Sequence, residues 1–239
     1  MLTAQNLTKQ YGTHVALNSL QLEVKPGEVF CLLGANGAGK TTTINLFMGF
    51  IQPTAGVVEI NGIDVGARPA ETKKHLAYIP ENLNLYPNLT GLENLRFFAG
   101  LADVPLDDGS GTDLLRSVGL QTDAIHRRIN GYSKGMRQKV GIAIAKAKRA
   151  DNLLLDEPTS GLDPQASNDF ARLIGDMREN KVAVLMATHD LFRAKETGTH
   201  IGIMRSGILR HTLSTDGIKL NELEQLYLET VRTEADIVD

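Results

Sequence analysis

Eight consecutive residues fit a pattern that binds phosphate groups. The segment Gly34–Thr41 reads GANGAGKT and matches the motif G-x-x-x-x-G-K-[ST] at every defined position. Its three glycines let the backbone turn so that successive N–H groups point at one centre and hold an anion. Lys40 adds a full positive charge for the β- and γ-phosphates of a nucleotide, and the Thr41 hydroxyl is a hard oxygen ligand suited to Mg²⁺.

The residues on either side of this segment supply the structure that the motif needs. Val29–Leu33 is a continuous apolar run, typical of a strand that is buried on both faces of a parallel sheet. Thr42–Met48 reads as a helix, and its N-terminus near Gly39 adds the positive end of a dipole. This strand–loop–helix context predicts a phosphate loop rather than a glycine-rich turn without a ligand.

Two further strands are predicted to end in side chains that can act on a phosphate. Leu153–Leu155 is followed by Asp156, which is placed to bind Mg²⁺, and by Glu157, which can serve as general base for an attacking water. The run Val182–Ala187 is followed after one residue by His189. A histidine at a buried strand end can contact a phosphate, orient a water or satisfy a carbonyl, and the residues alone leave these three alternatives open.

Three other residues have both a structural and a functional interpretation. Ser133 precedes a helical pattern and is a good N-cap, and Gly135 keeps the start of that helix open. Taken alone, these two residues indicate an ordinary helix cap. Tyr11, next to Gly12, is either a surface aromatic or a platform on which a base can stack.

The composition excludes several classes of partner. The 239 residues carry 25 basic and 28 acidic side chains, so the net charge of −3 does not predict binding to nucleic acid or to a lipid surface. No apolar run approaches the roughly 20 residues that a membrane-spanning helix needs, and Met1–Asn6 lacks the pattern of a signal peptide. The single cysteine, Cys31, is expected to be a small buried side chain in a reducing compartment. We expect a protein that is soluble and cytoplasmic by itself.

The remaining patterns predict three other regions. Short strands over Leu2–Val24, and a strand over Gly56–Ile60 followed by a tight turn, indicate a small antiparallel sheet. Between about residues 85 and 150 apolar residues recur three to four apart, which predicts an inserted helical region with a loop at Asp103–Asp113. An amphipathic helix that covers the domain is expected between Leu220 and Val231.

Taken in order, these segments resemble the motifs of the ATP-binding cassette (ABC) transporter ATPases, over residues 2 to about 213. Gly34–Thr41 is similar to the family's phosphate loop, and Leu153–Glu157 to its Walker B strand. Tyr132–Met136 occupies the place of the signature motif, usually Leu-Ser-Gly-Gly-Gln. Ile79–Glu81 stands where the family has its glutamine loop, and Ser160–Asp163 where it has its D-loop.

The resemblance implies a role for each matched residue. Glu157 and His189, the family's switch histidine, would be catalytic, and Tyr11 would stack on adenine. Mg²⁺ would be held by Thr41, Glu81 and Asp156. The residues that would contact the nucleotide are Tyr11, Gly34, Ala35, Asn36, Gly37, Ala38, Gly39, Lys40, Thr41 and Thr42, with Ser133 and Gly135 of the signature motif.

Two departures from the family pattern change the local charge. Glu81 replaces the usual glutamine, and it can still bind Mg²⁺ through a carboxylate oxygen. In the signature motif, Lys134 replaces a glycine and Met136 replaces the glutamine. Ser133 and Gly135 remain, so we expect closure around ATP to be retained. Variants of this kind look similar to cassettes that serve two-component exporters with a separate permease chain.

The resemblance also implies a fold and a set of partners. We expect an α/β phosphate-loop NTPase (RecA-like) core with a parallel sheet, a small antiparallel β subdomain and an inserted α-helical subdomain. The core is expected at residues 1–84 and 151–215, the helical subdomain at 85–150, and a C-terminal helix and tail at 216–239. We expect an ATPase that uses ATP and Mg²⁺ and closes as a homodimer around two ATP molecules. It would power a transmembrane permease at the inner face of the cell membrane.

Three functions other than the ATPase of an exporter are alternatives. A soluble cassette ATPase of translation or DNA repair usually has two cassettes or a long coiled coil, and the 91 residues between Thr41 and Ser133 (positions 42–132) leave no room for a coiled coil. A non-hydrolysing ATP-binding regulator is disfavoured, because Lys40, Asp156, Glu157 and His189 are all intact. An importer subunit stays open, because the permease mainly decides the direction of transport.

Overall fold

Ten strands build the frame of the protein in the computed structural model, which describes residues 1–231. In chain order, these strands are β1 (Leu2–Tyr11), β2 (His14–Val24), β3 (Val29–Leu33), β4 (Ala55–Ile60), β5 (Ile63–Asp64), β6 (Leu76–Ile79), β7 (Asn152–Asp156), β8 (Ala183–Thr188), β9 (His200–Arg205) and β10 (Ile208–Ser214).

The strands form two sheets. The first is antiparallel throughout, with the order β2-β1-β4-β5, and confirms the predicted antiparallel sheet. The second has the order β10-β9-β3-β8-β7-β6 and is parallel except for the pair of β9 with β10. The predicted α/β core with a parallel sheet is therefore confirmed, and β3, β7 and β8 lie side by side at its centre.

The three central strands are buried along their whole length. Successive residues of β3 pack into opposite cores, because side chains alternate across a strand: Cys31 joins one cluster and Phe30 the other. Cys31 is buried, as predicted, and burial raises the pKa of its thiol. The parallel pairing brings the carboxyl ends of the strands to one edge, where Leu33 pairs with Thr188 and Asp156 with Ala187.

Helices cover both faces of the central sheet. In chain order they are α1 (Lys40–Phe47), α2 (Pro69–Thr72), α3 (Gly91–Leu101), α4 (Asp108–Ser117), α5 (Thr122–Ile125), α6 (Lys134–Ala147), α7 (Pro164–Glu179), α8 (Leu191–Thr197) and α9 (Leu220–Val231). Short 3₁₀ turns lie at Lys73–His75 and Ile129–Gly131. The elements α3 to α6 lie within the region 85–150 in which helical periodicity replaces strand patterns, and α3, α4 and α6 pack on one another.

The first two strands are longer than predicted. β1 and β2 run for 10 and 11 residues, where the sequence indicated several short strands. Their register shifts between Ala4 and Leu7 and twice more before Gln10, because extra residues are accommodated as bulges. These shifts interrupt the two-residue alternation of buried and exposed side chains. The sequence pattern therefore predicts several short strands where the structure has one long strand.

The predicted loop at Asp103–Asp113 is wrong in its second half, because α4 begins at Asp108. The Oδ1 atom of Asp107 accepts a hydrogen bond from the Ser110 N–H at 2.7 Å and caps the helix. Gly111 is buried, and a Cβ there would lie 2.6 Å from a methyl carbon of Leu92. The Asp, Gly and Ser residues that resemble a loop therefore cap a helix and allow it to pack closely.

The C-terminal helix α9 is amphipathic, as predicted. Leu223 is fully buried, whereas Glu222, Glu224 and Glu229 are exposed. The part of the predicted C-terminal tail at 232–239 lies outside the described residues. No helix within residues 1–231 is long and apolar enough to cross a lipid bilayer.

Candidate functional site

The loop between β3 and α1 depends on two left-handed backbone positions. Gly37 has φ 81° and Gly39 has φ 107°, and L side chains rarely adopt this region. A Cβ on Gly39 would also lie 2.9 Å from the carbonyl oxygen of Ala16 on β2. Gly39 directly precedes α1, whose first turn carries no acidic residue. The loop therefore ends at a helix N-terminus whose N–H groups are available to an anion.

Lys40 begins α1 and is buried in the loop that precedes it. Its Nζ donates hydrogen bonds to the carbonyl oxygens of Gly34 at 2.6 Å and Ala35 at 3.3 Å. The same nitrogen lies 3.5 Å from Oε1 of Glu157. A buried ammonium group next to free helix N–H groups gives this loop the charge and the donors that phosphate oxygens require.

Asp156 is the last residue of β7 and faces the start of α1. The Thr41 hydroxyl donates to its Oδ1 atom at 3.4 Å. Burial raises the pKa of the Asp156 carboxyl, the Thr41 hydrogen bond lowers it, and the charge of Glu157 raises it again. A carboxylate that is only 8% exposed and lies among other acids is stabilised by a cation.

Glu157 and His189 come from the ends of neighbouring strands and meet in space. Nδ1 of His189 lies 2.8 Å from Oε2 of Glu157, and the backbone N–H of His189 donates to the same oxygen at 3.3 Å. Glu157 has a left-handed backbone with φ 45°, while its N–H donates to the Ala187 carbonyl at 2.9 Å. The backbone turn after β7 thus aims this carboxylate along the edge of the sheet, between Lys40 and His189.

One cavity of about 390 Å³ is lined by most of the site residues that were predicted from the sequence. It is lined by Tyr11, His14, Ala16, Ala35, Asn36, Gly37, Ala38, Gly39, Lys40, Thr41, Thr42, Glu81, Asp156 and Glu157. Gly34 touches this group through its carbonyl, and His189 through Glu157. His14 and Ala16 also line the cavity and were not predicted from the sequence. Both follow closely on Tyr11, and the hairpin turn after Tyr11, which brings them back to the cavity, is the signal that could have identified them.

Tyr11 ends β1 at the rim of this cavity. It pairs with His14 across the hairpin, and 48% of its surface is exposed. Nζ of Lys9 lies 4.9 Å from the centre of its ring. Both interpretations of Tyr11 agree with an exposed ring, but its place at the cavity favours a stacking platform.

Glu81 lies in the cavity lining and also touches two other predicted motifs. Its Oε1 atom accepts a hydrogen bond from Ser160 at 3.2 Å and lies 3.9 Å from Nζ of Lys134. Ser160 belongs to the predicted D-loop, and Lys134 to the predicted signature motif. Sequence spacing gives no indication of this contact, because the three residues come from distant parts of the chain.

Ser133 and Gly135 do not line this cavity. Ser133 is exposed and caps α6, accepting a hydrogen bond from the Met136 N–H at 3.2 Å. Gly135 is buried, and a Cβ there would lie 3.0 Å from Cβ of Ala166 on α7. The predicted cap is confirmed, whereas a contact of these residues with nucleotide stays a prediction.

A glycine loop at a helix N-terminus, a buried lysine and a strand-end acid define a phosphate-loop nucleotide-binding protein. The family model described as "ABC transporter" matches residues 17–160. The chain therefore belongs to the ABC transporter family, and it is an ATP-binding subunit with ATPase activity.

Curated relatives support this assignment along most of the chain. The bacitracin transport ATP-binding protein BcrA of Bacillus licheniformis is 34% identical over 230 residues, which cover 96% of this chain and 74% of the relative. The linearmycin resistance ATP-binding protein LnrL of Bacillus subtilis is 32% identical over 209 residues, which cover 87% and 67%.

Solved structures agree with the fold. The ATP-binding subunit of an ABC transporter superposes with a TM-score of 0.83 at 29% identity, covering 95% of this chain and 99% of that chain. A dimeric ATP-binding cassette, bound to ADP and Pi in a post-hydrolysis state, superposes with a TM-score of 0.81 at 26% identity, covering 91% and 100%.

Proposed function

We propose that this chain hydrolyses ATP to power an exporter whose membrane-spanning permease is a separate polypeptide. ATP hydrolysis is supported by the cavity in which Lys40, Asp156 and Glu157 meet. The direction is suggested by the names of relatives, which include bacitracin transport, linearmycin resistance and Nod factor export. These names favour export over import, and favour a transporter over a soluble ATPase of translation or DNA repair.

In this proposal the phosphate loop binds the nucleotide. The N–H groups of residues 35–42 surround the β-phosphate, and Lys40 moves from the loop carbonyls to the β- and γ-phosphate oxygens. Tyr11 stacks on adenine at the rim of the cavity. Lys40 then interacts with charge that increases on the γ-phosphate during its transfer to water.

The side chains at the end of β7 fit a hard divalent cation. Thr41 and Asp156 supply a hydroxyl and a carboxylate 3.4 Å apart, and Glu81 supplies a second carboxylate on the same cavity. Within residues 1–231 no three His, Cys, Asp or Glu side chains group as a complete metal site. We infer that these three residues would hold Mg²⁺, which would supply positive charge to neutralise the phosphates.

Glu157 is proposed as the general base. Its carboxylate can accept a proton from a water molecule that attacks the γ-phosphate. Its Oε1 atom lies 3.5 Å from Nζ of Lys40, a contact that is released when Lys40 moves to the phosphates. His189 fixes Oε2 of Glu157 through two contacts, at 2.8 Å and 3.3 Å. With 58% of its side chain exposed, His189 is also placed to sense a γ-phosphate or a second subunit.

A second copy of the chain is proposed to complete the site. Ser133 lies at the exposed N-terminus of α6, which has no acid in its first turn and is suited to an anion. Because Ser133 and Gly135 lie outside the cavity of their own subunit, we infer that they close over the nucleotide of a partner. Two ATP molecules would then join a homodimer, and hydrolysis would release it.

The permease is proposed to dock beside the helical region. A groove of about 860 Å³ lies between the core and α3 and α6, with Phe50, Phe98 and Leu101 along it. Leu101 is 69% exposed, and Phe50 is 58% exposed. An apolar surface of this kind suits a short helix of a membrane protein. Docking there would place the chain on the cytoplasmic face of the cell membrane.

We propose that the chain moves as the three regions predicted from its sequence. The core comprises residues 1–84 and 151–215, the helical subdomain 85–150, and the C-terminal helix and tail 216–239. Glu81 and the groove lie near the first boundary, where the core passes into the helical subdomain. A motion of the helical subdomain on ATP binding would therefore reach the permease directly.

A pull-down from detergent-solubilised membranes tests the proposal. The bait is tagged Glu157→Gln protein with Mg²⁺ and ATP, and mass spectrometry identifies what it retains. We expect a polytopic membrane protein in stoichiometric yield. Leu101→Asp in the same bait should lose this partner, whereas Leu228→Asp, at an exposed leucine of α9, should keep it. Recovery of soluble partners alone, such as ribosomes or repair factors, would contradict the transporter proposal.

A further inference from the structure

Two residues that depart from the family pattern lie against each other. Glu81 follows β6, and Lys134 is the first residue of α6. The Nζ atom of Lys134 is 3.9 Å from Oε1 of Glu81. Each residue introduces a charge where the pattern has an uncharged glutamine or glycine, and the two charges are opposite. The two departures therefore form one local feature.

The charge of Glu81 is added to a region that already contains two acids. Asp156 and Glu157 line the same cavity as Glu81. A third carboxylate near phosphate groups is unfavourable unless a cation holds it. Lys134 supplies that cation from the helix that carries the signature motif.

Both contacts of Glu81 fall on the same carboxylate oxygen. The Ser160 hydroxyl donates to Oε1 at 3.2 Å, and the ammonium group of Lys134 approaches Oε1 as well. Across residues 1–231 no hydrogen bond engages Oε2 of Glu81. One oxygen is thus held by the protein, and the other is available to a ligand in the cavity that Glu81 lines.

We propose that Lys134 is a positioning residue that holds Oε1 of Glu81, so that Oε2 is available to the Mg²⁺ that accompanies the nucleotide. The inference rests on the proposed placement of Mg²⁺ and nucleotide in this cavity. It gives a lysine of the signature motif a function in its own subunit, separate from the contact of Ser133 with a partner. Lys134 acts through its charge, because 3.9 Å is longer than a hydrogen bond. Because the two side chains are 23% and 48% exposed, solvent screens the pair and the expected effect is small.

Lys146 provides a matched control on the same helix. Its Nζ lies 3.9 Å from Asp176, with exposures of 21% and 53% for the two side chains. This pair equals the Lys134–Glu81 pair in distance and nearly in exposure. The two lysines are 12 residues apart, about 18 Å along the helix axis. Lys146→Ala therefore removes a comparable ion pair far from Glu81.

The test is the Mg²⁺ dependence of binding of a fluorescent ADP to the monomeric protein, where no partner subunit contributes. We expect Lys134→Ala to raise the Mg²⁺ concentration for half-maximal binding roughly two- to fivefold. Lys134→Arg keeps the charge and should behave as the parent protein does. Lys146→Ala should leave the Mg²⁺ dependence unchanged. Thermal unfolding of each variant establishes that it is folded.

The Glu81→Gln variant distinguishes an effect of Lys134 on Glu81 from a general effect of removing a positive charge. Glu81→Gln should still bind Mg²⁺ and ADP, and adding Lys134→Ala to it should produce no further change. An unchanged or lowered Mg²⁺ requirement in Lys134→Ala would overturn the inference. So would an equal shift in the Glu81→Gln background or in Lys146→Ala. Absence of Mg²⁺-dependent ADP binding in the parent protein would instead contradict the proposed metal site itself.

Discussion

Oε2 of Glu157 lies 2.8 Å from Nδ1 of His189, and 32 residues separate the two in the chain. The contact exists because β7 and β8 are parallel neighbours whose carboxyl ends meet at one edge. Lys40 approaches the other carboxylate oxygen at 3.5 Å. Both oxygens of the Glu157 carboxylate are therefore contacted, one by Lys40 and the other by His189.

Glu157→Gln is expected to keep ATP binding and to lower the rate of hydrolysis at least about 100-fold, because the amide cannot accept the proton. The measurement is phosphate release by the purified protein beside a titration with fluorescent ATP. Hydrolysis at the parent rate would show that Glu157 is not the base.

Lys40→Ala is expected to weaken ATP binding by a factor of ten or more, because the phosphates lose a charged donor. Binding is measured by equilibrium titration, and Glu157→Gln serves as a control that loses hydrolysis but not binding. A Lys40→Ala protein that binds ATP as tightly as the parent would place the nucleotide elsewhere.

Tyr11→Ala is expected to weaken ATP binding about fivefold or more, because a base loses its stacking surface. Tyr11→Phe keeps the ring and should bind within about twofold of the parent, since the hydroxyl has no assigned contact with the base. Equal ATP affinities of the parent, Tyr11→Ala and Tyr11→Phe proteins would show that Tyr11 is a surface aromatic that does not stack on the base.

Asp156→Asn is expected to stabilise the nucleotide-free protein, raising the melting temperature by roughly 2–4 °C. Burial raises the pKa of Asp156 in the folded state, so its stabilising contribution is present below the unfolded pKa and is lost as pH rises through the folded pKa. At neutral pH the ionised carboxylate therefore costs stability, which asparagine avoids.

Thermal unfolding without nucleotide checks this prediction between acid and neutral pH. The difference between Asp156→Asn and the parent should shrink as pH falls, because the parent carboxyl becomes protonated. A variant that is less stable than the parent at neutral pH would show that the hydrogen bond from Thr41 outweighs the cost of burial.

The sequence predicts those parts of the fold that depend on local periodicity. Continuous apolar runs identify β3, β7 and β8, and a good N-cap identifies the start of α6 at Ser133. The start of α4 is missed, since the same Asp, Gly and Ser residues serve loops and helix caps equally well. Gly111 packs closely on Leu92, and no local sequence pattern predicts this tertiary contact.

The site is predicted residue by residue, but its contacts are not. Strand ends indicate Asp156, Glu157 and His189 separately, and only the order of the strands brings the last two into contact. The left-handed backbone of Glu157 has no sequence signal, because glutamate rarely adopts it. The approach of Lys134 to Glu81 likewise depends on where the helical region packs.

We expect ATP to join two copies of the chain, and light scattering coupled to size-exclusion chromatography measures this association. Glu157→Gln protein should elute as a monomer without nucleotide and as a dimer with Mg²⁺ and ATP. Adding Ser133→Glu, which places a negative charge opposite the partner's phosphates, should keep it monomeric, with folding checked by thermal unfolding. A monomer with Mg²⁺ and ATP, or a dimer that forms equally well with Ser133→Glu, would show that ATP does not join two copies through Ser133.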